Sequence, residues 1–267
     1  MMNRRRIFAF IGAAVVSMLL AIGASLLIPS ISTLVAQSNT TLLVSTAASL
    51  KDAMEEIKTN YQQSQSGVRI NFNFGASGAL LQQIQQGAPV DIFISAAKKQ
   101  VDTLEQAGKL VPGTRGILAK NRLVLIVPRN STGVTSFFDL SKDNIRKIAI
   151  GEPRSVPAGQ YAEQVLQKLK IYDKLKSKFV YANNVRQVLA AVESGNADAG
   201  LVYRTDAAIS NKVKIVVAAS ETYHSPIVYP MAVLKQSKNV KAATEFVQYL
   251  SSEQAKGVFN KYGFILP

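Results

Sequence analysis

From Thr41 onward the chain repeats one unit: a short apolar or alternating run, a break of small or hydroxyl residues, then an amphipathic segment. Thr41 to Thr46 (TLLVST) passes through Ala47, Ala48 and Ser49 into a helical pattern with apolar Leu50, Ala53, Met54 and Ile57. Val68 to Phe74 (VRINFNF) alternates with period two, then Gly75-Ala76-Ser77-Gly78 opens a second helix carrying Ala79, Leu80 and Ile84. Period two marks a strand and period 3.6 a helix, so this regular switching constrains the fold more than any other feature. It continues with strands over 91–95, 121–128, 145–150, 179–181, 199–203, 213–218 and 227–234, and helices over 101–107, 158–170, 185–193, 205–209, 240–250 and 252–259. Such alternation predicts an α/β architecture of mostly parallel sheets covered by helices.

The N-terminal segment has a different character. Arg4, Arg5 and Arg6 precede an apolar run from Ile7 to Ile28, broken by Pro29 and followed by Leu34-Val35-Ala36-Gln37-Ser38. Residues 1–38 therefore predict an export signal, cut after Ala36 or Ser38. The run also reaches the roughly 20 residues that span a bilayer, so an uncleaved anchor is the alternative. The protein is expected in the periplasm, or tethered at the outer face of the inner membrane if the segment is kept. The rest of the 267 residues exceeds what one βαβ sheet commonly needs, which favours two α/β lobes with a ligand between them, beyond the strand ends.

Composition removes many chemistries. Without cysteine there is no disulfide, thiolate metal site, lipid-modified cysteine or cysteine nucleophile. The single histidine, His224, rules out a histidine metal cluster and reads as a surface or hinge residue. The balance of 31 Lys+Arg against 17 Asp+Glu, formally +14, suits an anionic partner. Its densest basic stretch, 168–178, lacks interleaved aromatics and predicts a solvated face, not a nucleic-acid footprint. Asp91 is expected to be structural, Asp206 to cap the helix that follows it, and Tyr61, Tyr161 and Tyr181 to be packing residues. Neither Asp198 nor Asp206 has a matched acid or base partner visible in the sequence. Lys51 is expected to be exposed.

Four junctions have one physical property in common. At Ala48-Ser49, Ala76-Ser77-Gly78, Pro157-Ala158-Gly159 and Asn184-Val185 a strand ends in small or hydroxyl residues and a helix begins. A helix N-terminus offers unpaired N–H groups and a partial charge of roughly +0.5, and small side chains let an oxyanion approach them. Taken singly, Ser49 and Ser77 read as plain N-caps. If the four ends converge they make an anion site without lysine or arginine.

At these residues the chain resembles the periplasmic molybdate-binding proteins, the ModA family of two-lobed type II solute receptors for ABC importers. The resemblance runs over Thr41 to Pro267 through TAASLKDA at 46–53, GASG at 75–78, GAPVDIFISA at 87–96, SVPAGQYA at 155–162, NVR at 184–186 and GLVYRTDA at 200–207. It implies a Venus-flytrap fold: lobe I from 39–121 plus 229–267, lobe II from 122–228, and hinges near Asn121 to Arg122 and Ser225 to Tyr229. It also implies oxyanion ligands at the hydroxyls of Ser49, Ser77 and Tyr203 and the backbone N–H of Ala158 and Val185. Arg204 stands where the family commonly has a small residue, and is expected to point outward. The function implied is high-affinity binding of molybdate, with tungstate, and delivery to a membrane permease by a monomer that has no cofactor and is not an enzyme.

The chemistry of the residues agrees with that implication. Molybdate at neutral pH is a dianion that needs donors only, whereas a phosphate receptor must also accept a proton from its ligand and would use a carboxylate. Five hydrogen bonds to a charged guest, at about 1.5–3 kcal/mol each, give roughly 8–15 kcal/mol gross before closure and desolvation costs, which is adequate beside the ~8 kcal/mol net that micromolar affinity requires. A receptor for another tetrahedral oxyanion, sulfate first, is the alternative within the class. A periplasmic hydrolase is disfavoured because Ser77 in GASG lacks the second glycine of a nucleophile elbow, and a nucleic-acid binder because of the export signal.

Overall fold

Ten strands sort into two five-stranded sheets in the computed structural model, which describes residues 40–267. The predicted export signal lies outside the described residues; among those described, no helix is long and apolar enough to cross a membrane. The first sheet has the order β2-β1-β3-β10-β4, from β1 (Thr40–Ala47), β2 (Val68–Gly75), β3 (Ile92–Ile94), β4 (Gly116–Lys120) and β10 (Val228–Val233). The second has the order β7-β6-β8-β5-β9, from β5 (Leu123–Pro128), β6 (Ile148–Gly151), β7 (Phe179–Ala182), β8 (Ala199–Tyr203) and β9 (Val213–Ala218). Helices α1 (Lys51–Ser64), α2 (Ser77–Gln85) and α3 (Lys98–Gln106) follow β1, β2 and β3. In the second half come α4 (Pro157–Lys168), α5 (Tyr172–Leu175), α6 (Val185–Glu193) and α7 (Arg204–Ala208); α8 (Val240–Leu250) and α9 (Glu253–Lys261) close the chain.

Both sheets are mixed. β1 pairs in parallel with β2 and β3, and β6 with β7 and β8, as alternation with helices predicts. The reversed strands are β10, antiparallel to β3 and β4, and β5, antiparallel to β8 and β9. Each is the strand the chain enters on passing from one sheet to the other. Reversal leaves no mark on hydrophobic periodicity: Leu123 to Val127 is buried on both faces just as a parallel strand would be. Strand β4, absent from the sequence expectations, exists through its pairing with β10; its five residues are too short and mixed to signal a strand alone.

The strand-to-helix turns of the two halves meet. Gly78 donates its N–H to the Ser155 carbonyl at 2.9 Å, and the Tyr161 hydroxyl donates to the Ala96 carbonyl at 3.3 Å. Arg186, in the first turn of α6, reaches Asp52 in the first turn of α1 at 2.6 Å and the Ser49 carbonyl at 3.3 Å. Its Nε lies 2.6 Å from Asp206, which is fully buried in α7. One guanidinium thus joins carboxylates from both halves.

Burial pushes the Asp206 carboxyl up to about 6, with Arg186 opposing that rise. The folded state therefore holds this proton more tightly than the unfolded chain, and the group's contribution to stability falls as pH rises from about 4 to about 6. Arg186→Met strands the carboxylate. We expect the variant to lose about 3–5 kcal/mol at pH 7.5 and to regain part of that deficit at pH 5, where Asp206 takes up a proton. Urea unfolding at both pH values checks this; an equal deficit at both would show that Asp206 does not carry it.

Candidate functional site

Where the two halves meet, the structure brings together Ser49, Ser77, Ala158, Val185 and Tyr203, all five residues singled out in the sequence. They line one small cavity of about 10 Å³. Ala47, Ala48, Gly75, Ala76 and Ala96 complete the wall from the first half, and Val156, Pro157 and Asn184 from the second. No Asp, Glu, Lys, Arg or His lines it, and among the described residues no group of His, Asp and Glu is placed to hold a bare metal ion.

Local sequence explains how backbone donors reach this point. Pro157 occupies the first turn of α4, where its missing N–H costs nothing, and Ala158 follows it. Gly159 lets α4 approach β6: a methyl group there would collide with the Gly151 carbonyl. Asn184 caps α6 by accepting the Gln187 N–H at 3.0 Å, which sets Val185 as the first helical residue. The N–H groups of Ala158 and Val185 thus belong to first turns, where an α-helix has no carbonyl to offer them.

Neither serine is a cap. Ser77 lies inside the first turn of α2, makes no capping bond, and instead accepts the Ala96 N–H at 2.9 Å, so its own proton is left over. Ser49 sits in a 3-10 turn (Ala48–Leu50) ahead of α1, with its hydroxyl 3.0 Å from that of Tyr229. The Tyr203 hydroxyl is buried without a hydrogen-bond partner. Burial raises its pKa well above the ordinary phenol value, so it remains a protonated donor. Three hydroxyls and two first-turn N–H groups around a space without carboxylates can solvate an anion that carries no proton. They offer no nucleophile–base pair.

Other residues fall elsewhere. Arg204 is exposed and does not line the cavity. Asp91 accepts the Leu43 N–H at 2.8 Å and the Ser237 hydroxyl, and Asp198 accepts two N–H groups ahead of β6, so both are structural. His224 is half-buried beside the strand that re-enters the first sheet, its Nδ1 against the Ser225 carbonyl and its ring edge-on to Tyr161. Tyr61 and Tyr161 are buried, but Tyr181 is exposed: it lies on β7, an edge strand with only β6 beside it. Sequence reasoning placed Asn121 and Tyr229 only at the expected hinges and Arg186 only within the NVR motif; it missed their hydrogen bonds at the site, which are made between segments far apart in the chain.

Comparison with known proteins identifies the chain's relatives. The chain is 48% identical over 229 residues to Bacillus subtilis YvgL, named as a candidate ABC transporter substrate-binding lipoprotein, covering 85% of this chain and 87% of that one. It is 38% identical to the molybdate-binding protein ModA of Haemophilus influenzae, covering 82% and 87%. The solved periplasmic molybdate-binding protein of Azotobacter vinelandii superposes with a TM-score of 0.75 at 29% identity, over 85% of this chain and 99% of that one. Residues 42–265 match the family model described as bacterial extracellular solute-binding protein, and the chain belongs to that family.

Proposed function

We propose that this protein is an extracytoplasmic receptor that closes around molybdate, or tungstate, and hands it to the membrane permease of an ABC importer. The observation that carries the reading is the Tyr203 hydroxyl, buried and unpartnered at a cavity that no acidic or basic side chain lines. A small space ringed by hydroxyls and first-turn N–H groups has no carboxylate to accept a ligand's proton and suits a small, fully deprotonated oxyanion. The names of the ModA relatives point to the same ligand. In this reading Ser49, Ser77, Ala158, Val185 and Tyr203 are the ligands of the anion, the protein acts as a monomer without a cofactor, and it catalyses nothing.

The moving parts are lobe I, residues 39–121 plus 229–267, and lobe II, residues 122–228, with hinges near Asn121 to Arg122 and Ser225 to Tyr229. Residues 1–38 direct export, after which the receptor is free in the periplasm or held at the outer face of the inner membrane. Ser49 and Ser77 belong to one lobe; Ala158, Val185 and Tyr203 to the other. The anion meets all five only in the closed form, so binding shifts the population toward closure. Arg186 adds a contact available only on closing, its bridge to Asp52.

Molybdate at a hundredfold excess over its dissociation constant is expected to stabilise the protein by about 2.7 kcal/mol, with sulfate and phosphate at equal concentration doing little. Thermal melting with the three anions checks this; an equal shift with sulfate would make the protein a general oxyanion receptor. A second expectation concerns closure alone. A methyl group on Gly78 would sit 2.6 Å from the Ser155 carbonyl oxygen, an atom of the facing half. Gly78→Ala should weaken molybdate binding at least tenfold and leave the ligand-free melting temperature within about 2 °C, since alanine suits a helix better than glycine. Unchanged affinity in calorimetry would mean that the halves need not approach this closely.

A further inference from the structure

The Ser49 hydroxyl is part of a chain of hydrogen bonds that begins where the polypeptide first leaves one sheet for the other. Asn121, between β4 and β5, is buried, and its Oδ1 accepts the Arg122 N–H at 2.9 Å. That bond fixes which end of the amide is oxygen. The Nδ2 group then spends its two protons on the Thr205 hydroxyl at 2.8 Å and the Tyr229 hydroxyl at 3.1 Å. Tyr229 is fully buried on β10, and its hydroxyl is also 3.0 Å from Ser49 Oγ.

Along this chain one arrangement leaves no buried proton without a partner. Tyr229 already accepts from Asn121, so its own proton cannot point back at the amide without two hydrogens facing each other, and it is donated to Ser49. Ser49 thereby becomes an acceptor from below, and its proton is left for the cavity. We propose that Asn121 and Tyr229 are positioning residues that hold Ser49 as a donor, and so exclude from the cavity oxyanions that bring a proton of their own.

The consequence is a discrimination by protonation that is separate from discrimination by size. Ser77, accepting the Ala96 N–H, is biased the same way by backbone alone. Ser49 is the hydroxyl whose direction depends on side chains, and so the one that substitution can reverse. In Asn121→Asp the carboxylate has no proton to give: Tyr229 would donate to it, Ser49 would donate to Tyr229, and a lone pair would face the ligand. Tyr229→Phe removes the donor below Ser49 and leaves its hydroxyl free to turn either way.

This inference rests on the oxyanion-receptor reading, and the test separates the two. Sulfate and hydrogen phosphate at pH 8 are both dianions of nearly equal size that differ by one proton. Each is measured as a competitor of molybdate by calorimetric displacement, in the wild-type protein and in both variants. The wild type is expected to prefer sulfate, and the sulfate-over-phosphate ratio should fall at least tenfold in Asn121→Asp, the scale of one hydrogen bond to a charged group, and in the same direction in Tyr229→Phe. A merely structural role would weaken all three anions together and leave the ratio alone. A ratio within threefold of the wild type in every variant that folds overturns the proposal. Should Asn121→Asp fail to fold, Tyr229→Phe decides by itself. Failure of the wild type to bind molybdate overturns the receptor reading instead, before any variant is compared.

Discussion

Holding a doubly charged anion out of bulk water without a cationic side chain demands that every neutral donor arrive at once. A buried charge left unsolvated is among the costliest things a protein can contain, and no single hydrogen bond offsets it. The fold meets this demand by ending several strands in small residues and starting helices there, so that first-turn N–H groups of the second half face the serines of the first. Ser49, Ser77 and Tyr203 supply hydroxyls to the same space. No cationic side chain lines the cavity; the basic residues outnumber the acidic ones, and this excess draws anions in without choosing among them.

The charged groups beside the cavity are paired with one another. Arg186 is the nearest candidate for a cationic ligand because its neighbour Val185 lines the space, yet its guanidinium is turned to Asp206, Asp52 and the Ser49 carbonyl. That arrangement gives the arginine a mechanical use. It ties the start of α6 to the start of α1 across the junction while leaving selectivity to directed donors. Donors of fixed direction distinguish a bare oxyanion from a protonated one, which a point charge does not.

Much of this was legible before any coordinates. The period-two runs and their helical partners mark nearly every strand and helix, and helices at 185–193 and 240–250 and strands at 199–203 and 213–218 are delimited as observed. The small-residue junctions mark where the cavity lies. What escaped depends on pairing across the chain. Strand β4 needs β10 to exist, and the reversed direction of β5 and β10 leaves no trace in periodicity. Ser49 and Ser77 look like caps in sequence because a serine ahead of a helix usually is one. Only the position of Ala96 and Tyr229 reveals that their oxygens are engaged elsewhere. Tyr203 is the opposite case: its value comes from having no partner, which no local pattern records.

A site of neutral hydroxyls and N–H groups offers protons in hydrogen bonds and exchanges none. Molybdate binding measured by calorimetry at pH 8, in two buffers of very different ionisation enthalpy, tests it directly. The observed binding enthalpy, corrected only for dilution, is expected to be the same in both buffers, hence no net proton taken up or released. Uptake or release approaching one proton per anion would mean that a carboxylate or a protonated ligand takes part, and would contradict it.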